Sequence, residues 1–561
     1  MSASHSLQAT AARLLGPAAA AMVLAVTSAG IAQAQVLAPG NLVVSRSVYT
    51  PNTSVHIGDI LPPNCTSTTA GCAASTGAIA GSNYPFVFNN VIYDANFGVT
   101  SKILLDQITV HGQLLSTLEV PNSTQPGITS TSDQLVTSFS SKSEMALHLS
   151  LDKKYLSFMG YVAPANAIDV SNSNTPGVND PTNPDGLSNY RAAATIDANG
   201  NYTFSETDAY SGNNGRAAIL NDLVAHPFFY ATGNAGNGSN PQPEGVVIGA
   251  GAQFIPQAVV GEFQQNPHVP IPLGSFSVTQ LGDKADKIGK DDNYRGLAIF
   301  NNVVYLTKGS GSNGVNTVYY VDTTNNSCPS GVGVPRTGAA LPTGGVAYNP
   351  ATVASTGLSH NICILRGFPT ELAKKADPVA YPFGLWFANA TTLYVADEGD
   401  GYTGGSDLYT HAATQTTAGL QKWVYNSATL TWTYAYTLQT NLGLGVPYSV
   451  SAYPTGINDA TGLPWTPATD GLRNITGLVG DGTYPELPTG KVAIYGITST
   501  VSGNGDVGAD PNKLLVVIDD LANTDPAVAA KESFFAVRYA GSQEVLRGVS
   551  FTPGTANTTS Y

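Results

Sequence analysis

The 561-residue chain carries 38 acidic and 24 basic residues, a net charge of −14, and only 11% of its residues are charged. Charged residues usually make up about a quarter of a globular chain. The acids and bases are spread without runs, and nucleic acid needs a basic stripe, so a polyanion partner is excluded. The 59 Gly and 35 Pro, set among many Ser, Thr and Asn, belong to short strands joined by turns rather than to long amphipathic helices.

In chain order the first element is the apolar stretch Ala18-Ala-Ala-Ala-Met-Val-Leu-Ala-Val-Thr, preceded by Arg13 and followed by Ala32-Gln-Ala34. It reads as a secretory signal occupying residues 1–34, with cleavage before Gln35. No later run approaches the roughly 20 apolar residues that span a bilayer, so no transmembrane segment is expected. The mature chain, 35–561, is expected to be one secreted domain, periplasmic or extracellular, and a monomer.

Three strand-like runs follow, Asn41–Arg46, Ile103–Val110 and Gln113–Val120. A short phrase then returns every 70 to 90 residues: a carboxylate or amide, two residues, an arginine, a small residue and an apolar strand. It reads Asn213-Asn-Gly-Arg216-Ala-Ala-Ile, Asp292-Asn-Tyr-Arg295-Gly-Leu-Ala-Ile-Phe, Asp470-Gly-Leu-Arg473-Asn-Ile and Glu544-Val-Leu-Arg547-Gly-Val-Ser-Phe. With Met145–Leu151 and Gly384–Phe387 these make six first strands. Each is followed by a second strand such as Val303–Lys308 or Leu393–Asp397, and by a hairpin, clearest at Leu420–Tyr425 and Leu430–Leu438. Repetition at this period predicts an all-β β-propeller of six blades, with seven as the alternative. The strand after Arg547 has no partners left before Tyr561, so the last blade should be closed by N- and C-terminal strands together, which hides the sheet edges. The long intervals require loop insertions, chiefly 50–100, 162–188, 232–243, 325–359 and 440–470.

This layout, and phrases such as Leu393-Tyr-Val-Ala-Asp, resemble exported propellers of the loosely defined NHL and YVTN type over nearly the whole mature chain. The resemblance implies a binding scaffold, a lactonase or a lyase, and it matches no catalytic motif residue by residue.

Chemistry is sought in three constellations. Arg216, Arg295, Arg473 and Arg547 should stand at equivalent places around the central channel mouth, with Glu144 and Phe383 in the other two blades. Such guanidiniums could bind a small anionic ligand bidentately, or they could pair with Asp292, Asp470 and Glu544 three residues earlier and simply hold the ring together. Asp397, Glu398 and Asp400 form an acidic turn suited to Ca²⁺, or an ordinary solvated one. Cys65, Cys72, Cys328 and Cys363 should form two local disulfides, 65 to 72 and 328 to 363. There is no Gly-x-Ser-x-Gly and no HExxH. His148 falls in a first strand and suits a core role better than a catalytic one. The sequence therefore favours a binding or scaffold protein with an extracellular partner. A hydrolase or lyase acting on a carboxylate-bearing small molecule or saccharide is the rival, which would need an unpaired channel-facing arginine beside an acid or His148.

Overall fold

Six antiparallel sheets form a six-bladed β-propeller in the computed structural model, which describes residues 37–53, 86–89, 98–129, 134–178, 188–234, 250–258, 271–284, 288–346, 361–483 and 485–558. Blade 1 runs from the axis outward as His148–Leu149, Tyr155–Tyr161, Arg191–Asp197 and Tyr202–Thr207. Blade 2 is Gly215–Asn221, Phe228–Gly233, Ala252–Pro256 and Ile271–Gly274. Blade 3 is Leu297–Phe300, Val303–Lys308, Thr317–Val321 and Ile362–Leu365, extended by Val332–Gly333. Blade 4 is Pro382–Asn389, Thr392–Asp397, Gly419–Asn426 and Thr431–Leu438, and blade 5 is Ala468–Val479, Lys491–Val501, Lys513–Asp520 and Phe535–Tyr539. The proposed signal segment lies outside the described residues, as do Cys65, Cys72 and much of each expected insertion.

Blade 6 takes its innermost strand, Glu544–Phe551, from the C-terminal end and its other three, Leu42–Val48, Thr100–Ile108 and Leu114–Glu119, from the N-terminal end. The joint runs antiparallel from Leu42 opposite Phe551 to Val48 opposite Glu544. Charge reinforces it: Arg46 bonds Glu544 across the joint and Asp106 at 2.9 Å within the sheet, while Arg538 of blade 5 reaches Asp106 at 2.6 Å. Asp106 is fully buried, and the Arg46 and Arg538 guanidiniums hold its carboxyl below the usual range against the cost of burial.

Inner strands converge on the axis, and the small residue after each arginine position records how closely. A Cβ on Gly548 would overlap the Met145 carbonyl, on Gly296 the Phe383 carbonyl, and on Gly384 the Arg473 carbonyl. Each glycine thus abuts the next blade's backbone, which only a residue without a side chain allows. The same contacts fix the register of the ring. Met145, not Glu144, is the blade 1 counterpart of Phe383 and Arg473, and Glu144 lies one residue earlier. The expected strand Met145–Leu151 also shrinks to His148–Leu149, because Met145 takes a φ of 67° and turns the preceding chain over the axis.

Cys328 and Cys363 are joined, tying the loop after the third strand of blade 3 to its outer strand.

Candidate functional site: the arginine mouth

The four arginines lie at one end of the channel, and each is buried by the neighbouring chain. Arg216 donates to Asn293 Oδ1 and, at 2.6 Å, to the Tyr294 carbonyl of blade 3. Arg295 reaches across the axis to the Ser143 hydroxyl and lies over the Phe383 ring, 5.7 Å from its centroid. Arg473 pairs with Glu398 of blade 4 at 3.2 Å. Arg547 donates to Ser47 Oγ at 3.1 Å and to the carbonyls of Phe139 and Ser141.

Three of these partners, Phe139, Ser141 and Ser143, belong to one segment, Phe139–Glu144, which enters blade 1 by crossing the mouth. Besides Arg295 and Arg547, it meets Asn214 of blade 2 at Ser141, Glu398 of blade 4 at Lys142 (3.9 Å), and the loop holding Gly508 in blade 5 at Ser140. One strap of serines and a lysine thereby touches all five other blades. Glu144 anchors its end, accepting from Thr137 Oγ1 at 2.7 Å, the Ser138 N–H at 3.0 Å and Tyr161 Oη at 2.5 Å.

The acids three residues ahead of the arginines do not pair with them. Asp292 accepts from the Phe276 N–H and Tyr294 Oη, Asp470 from the Gly401 N–H and Gln415 Nε2, and Glu544 from Arg46 and the Gly541 N–H. Asp470 and Glu544 share a strand with their arginines, and side chains three apart on an extended strand point to opposite faces; Asp292 sits in a turn ahead of its strand and is turned toward Phe276 and Tyr294. The arginines are matched between blades instead.

Asp397, Glu398 and Asp400 likewise diverge. Asp397 caps the Tyr381 and Gly399 N–H groups at 2.9 and 3.0 Å, Glu398 faces Arg473 and Lys142, and Asp400 holds His411 at 2.6 Å. Burial works against charge on Glu398, but Lys142, Arg295 and Arg473 outweigh it and keep the carboxyl below its ordinary value. Among the described residues the one group of acids, histidines and cysteines close enough to share a cation is Asp322 with Cys328 and Cys363, whose sulfurs bond each other. The turn expected to suit Ca²⁺ is an ion-pair hub.

Between the strap and blades 2, 3 and 5 lies a cavity of about 280 Å³. Its lining side chains include Lys142, Arg216, Lys290 and Arg295 against the single acid Asp506, the rest being Ser, Asn and Gly. No aliphatic or aromatic residue among the described ones lines it. Arg216 has no carboxylate within ion-pair reach among the described residues, and its Nε has no hydrogen-bond partner there. Burial first, and the charge of Arg295 second, depress its guanidinium well below the ordinary value. An arginine stays protonated all the same, so this depression marks what a bound anion would relieve.

Two to four residues deeper along the inner strands the channel changes character. Leu147, Leu149, Ile219, Leu297, Ile299 and Leu385 enclose about 40 Å³, room for a few waters. His148 lies here, its Nε2 without a hydrogen-bond partner among the described residues and its pKa pushed down to about 4 by burial. The far end is closed by the C-terminal tail, where the Thr558 carbonyl accepts from Trp386 Nε1 at 2.5 Å and the Asn557 carbonyl from the Val479 N–H at 3.0 Å.

No protein-family model and no curated protein matches the chain. Among solved structures, a chain from an S. cerevisiae complex of a Dbp5 variant with Nup159, a Gle1 variant, IP6 and ADP aligns with 68% of this chain and 75% of that chain, at 8% identity and a TM-score of 0.21. Likeness at that level carries no argument about this protein. The site is therefore read from its own geometry.

Sequence reasoning found the arginines because the phrase repeats, and missed Lys142 and Lys290 because strap and loop residues carry no period; Asn214 and Asn293 stand inside the phrase, two residues before their arginines, but only two of the four copies carry an amide there. Three buried acids lie near the same rim, of which the sequence singled out Asp470 and Asp397 in other roles and missed Asp510. Burial raises Asp470 to about 7 and Asp397 and Asp510 to about 6. Each then holds a proton that the unfolded chain sheds near pH 4, so their stabilising effect is complete below that pH and is lost as pH climbs through 6–7. The depressed acids Glu398 and Asp106 act below pH 4, outside this window. Each pH unit over which one of the three is held protonated is worth about 1.4 kcal/mol. The melting temperature is expected to be higher at pH 5 than at pH 7.5, with Asp470→Asn narrowing the gap. Scanning calorimetry at the two pH values that gave equal or reversed midpoints would contradict this assignment.

Proposed function

We propose that this chain is an exported propeller that acts as a binding scaffold and seats a small anionic ligand in the arginine mouth. The observation that carries the reading is Arg216, enclosed, unmatched by any described carboxylate, and lining a cavity in which cations outnumber acids. A monomeric state, an exported location and kinship with NHL and YVTN propellers belong to the same proposal. The absence of any apolar wall disfavours fatty or aromatic acids, whose burial would gain nothing there. A polar anion such as a hydroxylated carboxylate or a sulfate fits the lining.

The hydrolase or lyase reading requires a base beside the arginines. His148 lies within the apolar stretch of channel, deeper than the mouth, and Glu398 is engaged by two cations. Binding alone therefore accounts for more of the geometry.

Isothermal titration of the mature chain with galacturonate and with sulfate tests the proposal. Arg216→Gln is expected to weaken binding by about 1.5–3 kcal/mol, the worth of a charged hydrogen bond, and raising the salt concentration should weaken wild-type binding. Heat signals indifferent to both the substitution and the salt would sink it.

A further inference from the structure

The face opposite the arginine mouth carries a second cavity of different chemistry, about 440 Å³ in volume, between blades 3 and 4. It lies where the inner strands end, at the turn Asn301–Asn302 and near Ala390, so whatever binds there cannot reach the mouth. One wall is aromatic, with the partly exposed Tyr425 in front and the buried Tyr305 and Trp432 beside it, and the others are the Asn301–Asn302 turn and the 334–339 loop with Arg336.

The aromatic wall is held rigidly. The Trp432 ring packs 5.3 Å from Tyr425 and 5.9 Å from Phe387, its backbone N–H donates to the Arg366 carbonyl at 2.9 Å, and Tyr305 sits 4.5 Å from Phe387. The polar wall is unspent. Asn301 and Asn302, at φ 47° and 59°, form the tight turn of a hairpin, expose their amides, and make no side-chain hydrogen bond among the described residues. Arg336 is exposed and makes one such bond, from Nη2 to the Asn326 carbonyl at 2.8 Å.

We infer that this cavity is a saccharide-binding subsite. A pyranose offers C–H groups on its faces and hydroxyls around its edge. The C–H face meets the electron-rich faces of aromatic rings, and the edge hydroxyls take up amides and a guanidinium, which both donate and accept in the case of Asn. The volume falls in the range of roughly 300–1,000 Å³ typical of small-molecule sites. A wholly apolar ligand would make no use of the Asn301, Asn302, Arg336 and Thr337 side chains, and an inorganic anion would make no use of the rings. No carboxylate among the described residues lines the cavity, so a cationic ligand finds no counter-charge among them.

The test uses the mature chain with cellotetraose and xylotetraose, neutral sugars that the cationic mouth does not attract. Saturation-transfer NMR is expected to show transfer to ring C–H protons of at least one of them. Tyr425→Ala and Arg336→Ala should each weaken binding roughly tenfold, as loss of an anchor at the centre of a contact does, with the melting temperature nearly unchanged for Arg336→Ala. Arg216→Gln should leave it unaltered, which separates this site from the mouth. Absence of transfer to both sugars overturns the inference, and so does transfer that survives both substitutions at this cavity.

Discussion

Removal of residues 545–561 is expected to abolish the native fold rather than to trim it. The deletion takes the innermost strand of blade 6, and with it the fully buried Val545, Leu546, Val549 and Phe551. Each such side chain is worth about 1.5–3 kcal/mol of burial, so four of them rival the whole stability of a typical protein, about 5–15 kcal/mol. The loss also leaves Leu42–Val48 as an open edge at the axis, a template for pairing with another chain. The truncated protein should elute as aggregate and lose its cooperative melting transition. A monomer with an unchanged melting curve would show that the termini do not share a blade.

The second large effect is expected at the seam between blades 4 and 5. Lys422 Nζ is completely buried and donates to Asp519 at 2.8 Å, Tyr436 Oη at 3.0 Å, and the carbonyls of Asp520 and Asn523 at 2.6 and 2.9 Å. Asp519 is equally buried and accepts further bonds from Tyr394 and Tyr436. Lys422→Met leaves that carboxylate uncompensated and should cost about 3–5 kcal/mol. Replacing both, Lys422→Met with Asp519→Leu, removes the charge along with its partner and should recover a large part of the loss. Chemical denaturation of the two single variants and the double checks this, and a double variant as unstable as the sum of the singles would refute the pairing argument.

The contrast between these two regions shows what the sequence makes legible. Ring closure could be read in advance because it follows from a count: a strand after Arg547 without partners, and three orphan strands near the N-terminus. The arginine phrase was readable for a steric reason, since the residues after Arg295 and Arg547 must be glycine where a neighbouring carbonyl presses against them. The Lys422–Asp519 pair is invisible in the same sequence, because the partners are 97 residues apart and nothing in Leu420–Tyr425 marks its lysine as inward.

The mouth falls between these cases. Its arginines are periodic, but three of their partners come from Phe139–Glu144, a Ser-Ser-Lys-Ser segment with no pattern that would distinguish it from a solvated loop. The expectation that Asp292, Asp470 and Glu544 would match the arginines failed on strand alternation for the last two and on the turn that holds Asp292, and Glu398, read from its acidic turn as a Ca²⁺ ligand, is where Arg473 and Lys142 meet. The positive φ of Met145 governs the strap's path, and such backbone choices leave little trace in residue type.

The claim that the arginine mouth seats an anion is tested most directly by diffraction from crystals soaked in selenate, whose selenium scatters anomalously. The account predicts a selenium peak within hydrogen-bonding distance of Arg216, with Lys142, Lys290 or Arg295 as a second contact, that disappears in Arg216→Gln. A mouth without a peak, while selenate decorates only surface lysines, would contradict it.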